Sequence, residues 1–189
     1  MVRRYDPERP VDPAVVDRML DHATRAPSAG FSQGWAFLRL DTPDAVEAFW
    51  RATSRDPAAS NAWLDGMRTA PVVIVPLSCE QAYRERYAEP DKQHAGQEFP
   101  VPYWHTDAAM AALLILQTAV DEGLGACFFG IPGARVDAFR EAFTVPSSYT
   151  PVGAVTVGHR LPHTGAAGSP SRRARRPVDE VVHRGRWGG

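Results

Sequence analysis

Arginine supplies nearly all of the positive charge in this chain, with Lys92 as its sole lysine. A guanidinium fork binds phosphate or carboxylate through two parallel hydrogen bonds. A bias of genomic base composition produces the same excess, so the positions say more than the number. Two clusters stand out, Arg3-Arg4 near the start and Arg172, Arg173, Arg175 and Arg176 near the end. The second, taken alone, reads as a solvated basic patch or a non-specific nucleic-acid contact. Between them lies Pro27-Ser28-Ala29-Gly30-Phe31-Ser32-Gln33-Gly34, a run of small and turn-forming residues that makes a loop rich in backbone donors. Phe128-Phe129-Gly130 offers either rings beside a planar ligand or ordinary core packing. His105, next to Trp104, has the setting of a pocket histidine that donates a proton, or of one that caps and packs.

The balance of 21 Lys and Arg against 22 Asp and Glu leaves no global field to attract nucleic acid or an anionic membrane. Cys79 and Cys127 are far apart and have no second pair, so neither a metal site nor a disulfide framework is suggested and a reducing compartment fits. The opening Met1-Val2-Arg3-Arg4-Tyr5-Asp6 lacks the apolar core of a signal peptide. The longest apolar run, Ala108 to Val120, is shorter than the roughly 20 residues needed to span a bilayer. A soluble, cytoplasmic protein is the expectation from these features. At 189 residues, one domain covering 1–189 is expected, with no internal repeat.

Asp12-Pro13 reads as an N-cap followed by a first-turn proline, and Val16, Met19, Leu20 and Ala23 recur at helical spacing. Trp35 to Leu40 reads as a strand, and Pro43 to about Ser54 and Ala58 to Thr69 as helices. The branched run Val72-Val73-Ile74-Val75 is expected to be a central strand covered on both faces. From about 79 to 105 the sequence turns polar and aromatic with poor periodicity, which predicts an irregular excursion or lid. Thr106-Asp107 can cap a helix from Ala108 to Glu122, stopped by Gly123. That helix has hardly any polar face and must be buried on nearly every side. A second copy of the chain, or the chain's own core, would cover it. Ala126 to Gly130, Val136 to Phe143 and Thr150 to Gly158 then read as strand, helix and strand, and a basic segment at about 168–189 ends the chain. Interleaved helices and strands indicate an α+β or three-layer arrangement.

Four pieces, in order, resemble the FMN-dependent nitroreductase family: Arg3-Arg4-Tyr5-Asp6; Ala26 to Gly30 with Gln33 and Trp35; Gly123-Leu124-Gly125 leading to Phe129-Gly130; and Arg173 to Val178. The resemblance implies a three-layer α/β/α sandwich with a central, mainly antiparallel sheet, in an intertwined homodimer holding FMN at the subunit interface. Arg3, Arg173 and Arg175 match the family's basic positions around the FMN phosphate. Arg3 or Arg4 would stabilise the charge of the reduced ring, and Tyr5 falls in the same motif. Pro27, Ser28 and Ala29, with Phe31 and Gln33 in the same loop, would come from the partner subunit. Phe128, Phe129 and Gly130 would run along the opposite edge of the ring, with a backbone N–H near Gly130 facing the flavin N5. The implied activity is hydride transfer from NADH or NADPH through FMN to a nitroaromatic, quinone or similar acceptor. Such a site names no catalytic side chain, because the cofactor carries the chemistry. Phe31 stands where the family loop usually has Asn, Gly34 where it has Pro, and the family's upstream Arg-Arg-Ser has no counterpart here. These departures leave a second reading, a non-enzymatic binder of flavin or another planar ligand on the same scaffold.

Overall fold

The computed structural model describes residues 1–56, 58–95, 98–162 and 172–188. The first helix, α1 (Pro13–Ala23), starts as its sequence dictates, with the Asp12 carboxylate accepting from the Ala14 N–H at 2.9 Å and Pro13 in the first turn. The second, α2 (Pro43–Thr53), is capped by Thr42, and α3 (Ala62–Arg68) by the Asn61 side chain, which accepts from the N–H groups of Trp63 and Leu64. Each cap satisfies amides that have no partner within the helix. Strands β1 (Trp35–Leu40), β2 (Val72–Ser78), β3 (Gly125–Phe129), β4 (Thr150–Pro151) and β5 (Ala154–Gly158) pair antiparallel throughout, in the order β1-β2-β5-β3, with β4 added to one end of β2. All seven residues of β2 are buried, as its unbroken apolar run requires.

Alternation along the strands divides the core between two faces. Val72 and Ile74 join Val155, Val157 and Ala126 against α1 and the helix α5 (Tyr103–Asp121). Val73, Val75 and Leu77 join Cys127 and Ala154 against α2, α3 and the helix α6 (Val136–Phe143). The result is three layers, helices on both faces of a mainly antiparallel sheet, as expected.

Four elements differ from the sequence reading. The helix expected from Ala58 starts at Ala62, behind the Asn61 cap, and the strand expected from Thr150 to Gly158 is divided into β4 and β5. The excursion contains a regular helix, α4 (Glu80–Tyr87), in which Tyr83 is the buried residue. Helix α5 starts at Tyr103, so Thr106 and Asp107 lie inside it and its end has no side-chain cap. Pro102 breaks the chain there, and its carbonyl accepts from His105 N at 2.9 Å. At the other end Gly123, at φ 71°, turns the chain out of the helix, the left-handed stop that glycine provides.

The N-terminal segment is fixed along its length. Val2 N donates to Ala126 O at 3.0 Å, Tyr5 N to Thr69 Oγ1 at 2.8 Å and Asp6 N to His159 O at 2.8 Å. It crosses α3 so closely that a Cβ on Gly66 would lie 2.3 Å from the Arg3 carbonyl oxygen. Alanine at this position has the better helix propensity, by about 1 kcal/mol, yet the clash is with backbone and must displace it. Gly66→Ala is therefore expected to destabilise the fold by roughly 1–3 kcal/mol, read as a lower Tm in thermal unfolding. A Tm at or above wild type would show that the segment moves freely.

Candidate functional site

The loop between α1 and β1 is held in a conformation that L-residues avoid. Gly30, Phe31 and Gln33 have φ of 62°, 57° and 50°, and left-handed backbone costs a non-glycine residue about 1–2 kcal/mol. Bonds within the loop and from its neighbours offset that cost. Inside it, Gln33 N donates to Ser28 Oγ at 2.8 Å and Ser32 Oγ to Ala29 O at 2.7 Å. From α4, Arg86 Nε donates to Gly30 O at 2.9 Å, and the Tyr87 ring packs against Gly30 so closely that a Cβ there would clash. From α5, the Asp107 carboxylate accepts from Ala29 N at 2.7 Å and from the Tyr83 hydroxyl at 2.7 Å. Burial, first, and the neighbouring Asp107 push the Tyr83 phenol well above its ordinary pKa, so it stays a donor. The product of this bracing is an apolar ring held out in water: Phe31 is 74 % exposed.

The basic residues lie elsewhere. Arg3 is half-buried and Arg4 exposed, both on the segment pinned beside β3 and α3. Arg3 lies against the Cys127 thiol, whose pKa burial pushes up and the Arg3 charge pulls down. Tyr5 is fully buried, and its hydroxyl shares hydrogen bonds with Val2 O and Thr156 Oγ1, each at 2.8 Å. Its side chain anchors the segment that carries Arg3 and Arg4 and does not face a ligand. Arg173 and Arg175 are exposed. The part of the basic C-terminal segment up to Ser171 lies outside the described residues.

Phe128 and Phe129 leave β3 on opposite faces. Phe128 is packed over Gly153 on the α1 side, and Phe129 stacks on Trp50 with ring centroids 5.5 Å apart and meets Phe49 and Trp63 edge-on. Both rings are engaged in packing, on opposite sides of the sheet. What the segment offers is its backbone and the open space around Gly130. His105 Nδ1 is 2.8 Å from Ser78 Oγ, which donates to Thr150 O at 3.2 Å, and this ties α5 to β2 and β4. The packing role is the one this geometry serves.

One chain thus keeps the candidate residues in two groups. The loop 27–34 leads into β1 at one edge of the sheet, and Arg3, Arg4 and Phe128 to Gly130 sit around β3 at the other, three strand spacings or about 14 Å away. Sequence reasoning missed Tyr83, Arg86 and Asp107, which hold the loop. The available signal was an aspartate near the start of an otherwise apolar helix.

The chemistry of the donors suits FMN. Among the described residues, no ion pair engages Arg3, Arg4, Arg173 or Arg175 with a carboxylate, and the same holds of Arg9, Arg51, Arg55, Arg135, Arg160, Arg172, Arg184 and Arg186, so the four are distinguished by their positions in the sequence motifs and not by the lack of an acid. Cations without acidic partners are what a phosphate dianion needs.

A family model described as the nitroreductase family matches residues 1–159. An NADPH-dependent oxidoreductase of Staphylococcus aureus is 25 % identical over 187 residues, covering 98 % of this chain and 70 % of its own. Among solved structures, a nitroreductase candidate of Exiguobacterium sibiricum in complex with FMN superposes with a TM-score of 0.73 at 18 % identity, covering 96 % of this chain and 91 % of that one. An FMN-dependent nitroreductase of Clostridium difficile does so with a TM-score of 0.69 at 20 % identity, covering 98 % and 94 %.

Proposed function

Because the chain belongs to the nitroreductase family and is an oxidoreductase, we propose that it works as a cytoplasmic homodimer that uses FMN to pass hydride from NADH or NADPH to a nitroaromatic, quinone or similar acceptor. What supports the reading above the rest is that Arg3 and Arg4 lie by β3 at one sheet edge and the braced loop 27–34 leads into β1 at the other, two halves of a site that a second copy would bring together. The two nicotinamides are left open, and a ping-pong order, with the spent nicotinamide leaving before the acceptor enters, follows from a single shared face.

FMN, once bound, supplies the ring that takes up and delivers hydride. The chain's own residues bind and polarise. Arg3, Arg173 and Arg175 hold the phosphate through guanidinium forks, and Arg3 or Arg4 offsets negative charge on the reduced ring. Ser28 and the backbone of Pro27 and Ala29, with Gln33 and Phe31, line the cofactor from the partner subunit, and Gly130 offers its N–H on the other side. No acidic or basic side chain is required for the central step, and none is assigned.

The test is the visible absorption spectrum of the purified protein, with and without added FMN, followed by release and identification of the pigment. An oxidised-flavin spectrum at about one FMN per chain, bleached anaerobically by NADH or NADPH, is the expected result. A colourless protein that ignores FMN, or a bound flavin that neither nicotinamide reduces, overturns the reading.

A further inference from the structure

We propose that Asp107 is the positioning residue of the flavin loop, and that through a single carboxylate oxygen it couples this loop to the lid helix α4. The inference rests on the FMN reading above. Asp107 is 2 % exposed in the second turn of α5, and no ion pair among the described residues includes it. A buried carboxylate without a cation is a costly group to keep, and hydrogen bonds must satisfy it. Its Oδ2 accepts from Ala29 N and from Tyr83 Oη, both at 2.7 Å, while Oδ1 lies 3.3 Å from Thr106 Oγ1.

One carboxylate oxygen has lone pairs for both donors, and its charge strengthens each bond. Apolar residues would fill the space inside α5 equally well, so the carboxylate serves the loop and not the packing. The loop needs that hold, because three of its residues are left-handed and its ring at Phe31 faces water. Tyr83 extends the network, since its hydroxyl is also 3.4 Å from Ser28 Oγ, which in turn accepts from Gln33 N. One oxygen therefore fixes the backbone at Ala29 and, through Tyr83, the Ser28 hydroxyl. Both residues belong to the set proposed to line the cofactor. The same Tyr83 ring meets Trp104 edge-on, and Tyr87, one turn further along α4, meets Phe99. A shift of the aromatic lid is thereby felt by the loop.

Asp107→Leu keeps an apolar side chain of similar reach and removes the acceptor for both donors. The expected result is a Kd for FMN raised about 10- to 100-fold, the range that loss of a charge-assisted hydrogen bond gives. Tyr83→Phe keeps the packing, loses one strap and is expected to raise it about threefold. Because both act through one oxygen, the double variant is expected to bind FMN no worse than Asp107→Leu alone. Additive losses overturn the shared anchor. Hydrogen exchange in the FMN-free protein gives a second readout, and Asp107→Leu is expected to speed exchange across residues 28–33 about tenfold or more. Faster exchange with unchanged FMN affinity overturns the positioning role, because the loop is then held for stability alone. Unchanged exchange overturns the clamp itself. If wild type binds no FMN while exchange responds as expected, the clamp stands and the flavin reading fails. Should Asp107→Leu not fold, Tyr83→Phe carries both measurements, and no change in either overturns the proposal.

Discussion

With Arg3 and Arg175 both changed to alanine, the Kd for FMN is expected to rise about a thousandfold, from roughly thirtyfold for each charge-assisted pair, while the FMN-free protein melts near the wild-type temperature. The stability half follows from placement. Arg175 is exposed and Arg3 half-buried, and neither pairs with a carboxylate among the described residues, so removing them breaks no ion pair there and gives up only the contact of Arg3 with the Cys127 thiol. The affinity half follows from phosphate chemistry, where a planar fork meets two oxygens at once. Riboflavin supplies the control, because it has the same ring without the phosphate. Its affinity, however weak, is expected to be nearly the same in wild type and variant. Equal losses for FMN and riboflavin would mean that the arginines act on the ring or on the fold. A loss for FMN below about tenfold would return the C-terminal cluster to the status of a solvated basic patch, whose contacts weaken with salt regardless of the ligand.

The layers and most strands were legible because their signals are local. Asp12-Pro13 announces α1, and the bonds at its start are those the cap predicts. The Val72 to Val75 run announces a strand buried on both faces, and β2 lies between β1 and β5. Helix α4 was missed because nearly every residue in it is charged or polar. Its exposed face is sustained by pairs four residues apart, Arg84 with Glu80 and Gln81 with Glu85, so the apolar period reduces to Tyr83 alone. Asp107 was misread as part of a cap because the alternative depends on groups 78 and 24 positions away in sequence, Ala29 and Tyr83. Phe128 and Phe129 show the reverse case. Strand alternation requires adjacent side chains to leave on opposite faces, and the two rings do so, each packing into a different side of the core.

Leu113→Arg is expected to convert the protein from dimer to monomer and to abolish FMN binding, although Leu113 is not among the residues proposed to touch FMN. The sequence of α5 calls for burial on nearly every side, yet one stripe of it is open in the single chain. Met110, Leu113 and Val120, at helical spacing, are exposed, Leu113 by 51 %, while Ala111, Ala112, Ile115 and Ala119 face the core. An apolar stripe on a helix that also braces the loop 27–34 would be the contact face of the proposed dimer. In a two-fold dimer each substitution appears twice across the same interface, and an unpaired guanidinium buried there costs several kcal/mol. The monomer itself is expected to stay folded, since Leu113 points away from the core and arginine is a good helix former. Sedimentation at micromolar concentration is the measurement, with an FMN titration on the same sample. A variant that remains dimeric and yellow would place the interface elsewhere and leave the open face of α5 unexplained. A variant that is monomeric and still binds FMN at wild-type affinity would show that one chain completes the site, which the separation of the loop from Arg3 across the sheet argues against.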